Sequence, residues 1–126
     1  MGDTKTTLVE FVVQGPAPDE WRMVLVEQGP WAPPLDGHLS RLQDRMYGCV
    51  EAALDGQLAE RFPQSHGQHV VIQIDCYDLP RREVEEFFDR FSQGVFKYPD
   101  YRDALVASPF VKTLRFEIAF DADDRT

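Results

Sequence analysis

The sequence has few of the features that announce a chemistry. Its 126 residues hold two cysteines, Cys49 and Cys76, 27 positions apart and in no CxxC pair, which excludes the paired-thiolate spacing of a zinc ribbon or a thioredoxin-type redox centre. There is no glycine-rich phosphate loop, no GxxxxGK[ST] and no GxSxG, so neither a nucleotide cradle nor a nucleophile elbow is written in the chain. No stretch approaches the ~18 apolar residues of a bilayer span. The opening MGDTKTTLVEFVVQG lacks an apolar run of signal-peptide length, and Gly2 fits only the loosest acylation pattern. Positive charge is scarce: 13 Lys and Arg face 22 Asp and Glu, a formal net charge of −9. That balance excludes unassisted docking on nucleic acid or an anionic membrane, where cationic side chains supply most of the affinity. The chain reads as a cytoplasmic protein with two reduced, buried thiols.

What is present suffices for a core. Hydrophobic residues make up 43% and charged residues 28%, ordinary values for a globular chain, and the length suits one domain spanning 1–126 with flexible ends at 1–5 and 121–126. Alternating apolar residues predict strands over 6–13 and 21–28, joined as an antiparallel hairpin across QGPAPDE. The proline-rich GPWAPPLDG then leads to a helix over 36–61, with Asp36 as its N-cap and Gly56 able to break it. A strand over 69–77 puts Val70, Ile72, Ile74 and Cys76 on one face. A helix over 79–93 carries the stripe Val84, Phe87, Phe88 and Phe91, with Gly94 at its C′ position and Arg82–Glu86 and Glu86–Arg90 pairs on its solvated side. A short helix over 99–107 starts at Pro99, and the last strand covers 112–120. The order β-β-α-β-α-(α)-β implies an α+β two-layer sandwich: a four-stranded sheet with helices on one face. Strand order within the sheet does not follow from the sequence.

Two segments concentrate reactive or sticky side chains. In QHVVIQIDCYDLPRREVEEFFDRF, Asp75, Cys76, Tyr77 and Asp78 lie at a strand-to-helix junction, where α/β ligand sites gather. The alternation turns Cys76 inward and sends Asp75 and Tyr77 to the other face, while Asp78 before Leu79-Pro80 fits a helix N-cap. In FKYPDYRD, Tyr98 and Tyr101 flank Asp100, with Asp103 behind. Tyrosines among carboxylates suit a basic protein surface, rings giving area and acids giving complementarity. The plain alternative is that these tyrosines pack a short helix onto the sheet. Trp31 is either a loop anchor or an exposed contact. His38, His66 and His69 read as loop histidines, and no metal or cofactor is expected.

With DCYD and YPDYRD as the segments that carry it, the whole chain resembles, in composition and architecture, the bacterial immunity proteins that block polymorphic toxins. Those are small, acidic, single-domain α+β proteins without catalytic residues. The resemblance implies a non-catalytic neutraliser of a more basic protein partner. Asp75, Tyr77, Tyr98, Asp100, Tyr101, Asp103 and Trp31 are its candidate contacts. Two other readings stay open: a structural or regulatory subunit, and a small enzyme or ligand-binding domain centred on Asp75 and Asp78.

Overall fold

The computed structural model describes residues 11–121. The expected flexible segment 1–5, residues 122–126 of the expected flexible segment 121–126, and residues 6–10 of the strand expected over 6–13 lie outside those residues. The element order is the expected one. Strand β1 (Phe11–Gln14) runs antiparallel to β2 (Glu20–Gln28), and Gly15 N–H closes the turn on Glu20 O at 2.7 Å. Helices α1 (Asp36–Leu54) and α2 (Gln57–Arg61) lead to β3 (Gln68–Tyr77); α3 (Arg81–Gly94) and α4 (Pro99–Ala107) lead to β4 (Val111–Phe120). The sheet order is β1-β2-β3-β4, with β2–β3 and β3–β4 both parallel. Parallel neighbours need long crossovers, which is why the helices fall between these strands and not between β1 and β2.

The period-2 pattern decides the layers. Met23 and Leu25 of β2 and Val70, Ile72, Ile74 and Cys76 of β3 share one face, and each is 2% exposed or less. They meet Leu42, Met46, Cys49 and Val50 of α1 and Val84, Phe87, Phe88 and Phe91 of α3 in a single core. Each such aliphatic side chain contributes roughly 1.5–3 kcal/mol by leaving water. The other face of the sheet is mixed: Val24 and Val71 are buried there, beside a polar network. Arg22 on β2 donates to Glu20 (2.8 Å), to Gln73 Oε1 on β3 (2.8 Å) and to Glu117 Oε1 on β4 (2.7 Å). The last bond holds the Glu117 carboxyl below the usual range.

The helix expected over 36–61 is divided at Gly56, the position allowed for as a break: Gly56 adopts φ 98 and the Phe110 ring occupies the space a side chain there would need. Four other local expectations are corrected. Asp36 is not a cap: Leu35 holds that position in near-helical geometry, leaving Asp36 in the first turn. Asp78 does not cap α3 either. It takes φ 60, a left-handed conformation that Asp tolerates, its N–H donates to Asp121 Oδ1 at 3.2 Å, and the helix starts only at Arg81, with Pro80 in the cap position. Gly94 keeps a negative φ (−104), and the chain passes through a 3₁₀ turn at Val95–Lys97 instead of ending at a left-handed C′ residue. On α3 the i, i+4 ion pair is Arg81–Glu85 at 3.0 Å, one residue before the expected ladder.

Candidate functional site

The corner between α1 and α4 is set up by two local features. Pro99 fixes the first turn of α4, and the carbonyl of Tyr98 accepts from Tyr101 N–H (3.1 Å) and Arg102 N–H (2.9 Å). Tyr98 is thereby pinned just outside the helix, with 58% of its surface exposed. No residue of α4 is buried, and Val106 near its far end is 82% exposed. A short helix with so little buried face is held to the fold by specific contacts. Tyr101 makes two of them: its hydroxyl donates to Glu51 Oε2 at 2.9 Å, and its ring lies 5.4 Å from that of Tyr47. Tyr47 in turn packs edge-on against Phe91, 4.8 Å between centroids. Ser108 Oγ adds a bond to Leu54 O at 2.9 Å.

Tyr47, Glu51 and Asp55 recur every fourth residue along α1, so they form one stripe facing α4. Two hollows flank the stripe. Towards α3, Tyr47, Phe87, Phe91 and Tyr98, with the polar Gln43 and Arg90, line a recess of about 230 Å³. Towards the end of α1, Glu51, Leu54, Asp55, Asp100 and Tyr101 line a groove of about 390 Å³. Among the described residues, Glu51, Asp55 and Asp100 have no basic partner; Glu51 accepts from Tyr101, and Asp55 from the backbone and side chain of Gln57. Burial, then the bond to Glu51, pushes the Tyr101 phenol up to about 12, and burial raises that of Tyr47. Both rings therefore stay neutral beside the carboxylates. Asp103 sits one turn on, exposed, with Arg102 Nε at 3.6 Å.

The structure thus brings Tyr98, Asp100, Tyr101 and Asp103 onto one corner and leaves the other candidates elsewhere. Asp75 is on the mixed face of the sheet, accepting from Gln73 Nε2 at 2.8 Å, and Tyr77 is half-buried at the end of β3. Trp31 is no exposed contact: only 7% of it is accessible, and it belongs to the core as an anchor for its loop. Its ring stacks on His38 at 5.0 Å and 7°, with the Arg41 guanidinium 5.9 Å from the centroid. His38 is accordingly a helix residue, and His69 a strand residue bonded to Thr113 at 2.7 Å. The Cys76 thiol is buried, which pushes it up to about 12, so it is no nucleophile at neutral pH. Among the described residues no group of three or more His, Cys, Asp or Glu is placed to hold a metal ion, and no helix is long and apolar enough to cross a membrane.

Sequence reasoning missed two groups. The Tyr47–Glu51–Asp55 stripe was readable as an exposed i, i+4 series on the side opposite Leu42, Met46 and Cys49. Glu27 was readable from parity, since it continues the Met23–Leu25 face. It is 4% exposed, and it is answered by Arg45 and, at 3.4 Å, by Arg41, one turn apart on α1. No family model, curated protein or solved structure matches this chain.

Proposed function

We propose that this chain is a non-catalytic, intracellular protein-binding module of the immunity or antitoxin type, which neutralises a more basic partner through the corner between α1 and α4. The observation that carries the reading is the groove in which Glu51, Asp55 and Asp100 stand without a basic partner among the described residues, beside a tyrosine left 58% exposed. Unanswered carboxylates on an acidic chain are cheap while they remain hydrated, and they attract Lys or Arg from a partner. The neighbouring aromatic recess suits an apolar side chain as the anchor of that contact, since interface energy concentrates in such pockets. Asp103 and Val106 extend the surface along α4. Asp75 and Tyr77, on the sheet, belong to a different surface and are not part of this contact.

The test begins with co-purification of the protein encoded by the adjacent gene. Tyr98→Ala/Asp100→Asn/Tyr101→Phe should weaken the complex roughly a hundredfold while leaving the melting curve nearly in place. Glu51→Gln/Asp55→Asn should lower the association rate and flatten its dependence on salt. A triple variant that binds as tightly as the parent would place the interface elsewhere.

A further inference from the structure

The outer edge of β4 is a ten-residue strand with no proline, and among the described residues no strand pairs with it. Its backbone polarity can be assigned. Asp121 N–H donates to Cys76 O at 2.7 Å, so residue 121 and the alternate residues before it, 119, 117, 115 and 113, direct their amides and carbonyls towards β3. Leu114, Phe116, Ile118 and Phe120 therefore direct theirs away from the sheet, as an open row of donors and acceptors. All but Leu114 of these are an incompletely covered part of the core. Phe116, Ile118 and Phe120 are half-buried, whereas their neighbours Ile72 and Ile74 on β3 are fully buried.

We propose that β4 pairs antiparallel with β4 of a second copy of this chain, about a two-fold axis at Phe116, extending the sheet across the dimer. In that register the outward-facing amides meet in hydrogen-bonded pairs, Phe116 with Phe116 and Leu114 with Ile118 of the other copy. On the mixed face Arg115 stands directly opposite Glu117 of the other copy, twice by symmetry, in the closer, non-hydrogen-bonded positions. Both side chains stand partly in solvent, at 51% and 43% exposure. Within the chain Arg115 already meets Glu117 (3.2 Å) and Glu20 (3.5 Å), and Glu117 accepts from Arg22 (2.7 Å), so the cross-axis contact extends an existing ion-pair network. Moving the axis by one residue in either direction sets Arg115 against Arg115 or Glu117 against Glu117, so charge selects the register. Lys112, the extra residue where the β3–β4 register shifts between Gln68 and His69, marks the start of the regular edge.

The experiment is sedimentation or light scattering of the purified chain over a range of concentrations. The expected result is twice the 14.5 kDa chain mass. Arg115→Glu, which leaves two like pairs across the axis, should weaken the dimer roughly tenfold or more with an unchanged circular dichroism spectrum. Independently, Thr113→Cys/Ala119→Cys should oxidise to a covalent dimer, because these positions face each other across the axis. Within one strand they lie about 20 Å apart, beyond the reach of a disulfide. Neither single cysteine variant should cross-link. A monomer at all concentrations overturns the proposal, as does a dimer that ignores Arg115→Glu and fails to cross-link.

Discussion

The Tyr101 hydroxyl donates a 2.9 Å hydrogen bond to Glu51 Oε2, tying α4 to α1 across 50 residues of chain. Few other contacts hold α4, so its attachment depends on pH at this bond. Burial first, and then this bond, push the folded phenol up to about 12 from an ordinary value near 10. The associated stability is complete below pH 10 and is lost as pH rises from about 10 through about 12. Alkaline melts should show this loss, and Tyr101→Phe should remove much of it at a cost of about 0.5 kcal/mol near neutrality. An alkaline profile identical in the two proteins would count against this account.

Glu27, paired with Arg45, is the most buried charged side chain among the described residues, at 4% exposure against 20% for Arg45. Arg45→Met leaves the carboxylate on the apolar face with only Arg41 nearby, and the expected loss is about 3 kcal/mol. Glu27→Leu/Arg45→Met should recover most of that loss, because it removes the buried charge together with its partner. Urea unfolding of the three proteins measures both numbers.

Trp31 can be assigned by its energetics. As a loop anchor in the core, Trp31→Ala should cost about 3 kcal/mol of stability. An exposed contact would cost less than about 0.5 kcal/mol. A thermal melt separates the two outcomes.

Cys76 provides a local unfolding probe. With its thiol held near 12 by burial, it should be protected from a thiol reagent at pH 8 in the native state and should react fully in denaturant. Rapid native labelling of Cys76 would show that the end of β3 opens.

How much could be read in advance depended on periodicity. Strand β4 alternates cleanly, and β2 and β3 alternate except at Val24 and Val71, so the layers and the inward Cys76 were legible. Caps were not, because Asp is equally at home in a first turn or in a left-handed bend. Asp36 took the first of these and Asp78 the second, where its N–H meets Asp121. Trp31 was ambiguous because GPWAPP has no period, and the position of the loop against α1 decides its burial. The corner was half legible. Tyr98 to Asp103 stood out as a local cluster, but the facing stripe of Tyr47, Glu51 and Asp55 becomes part of a surface only once α4 is docked. Glu27 was overlooked because parity was applied to apolar residues alone.

The reach of Arg22 over Gln73 to Glu117 spans three strands of the sheet. One residue out of step, a strand would turn its other face to the helices. Such a slip would rotate Arg22, Gln73 or Glu117 into the helix layer, where none could keep its partners. These polar side chains therefore act as proofreaders of strand alignment: they penalise misassembled sheets more than they stabilise the correct one.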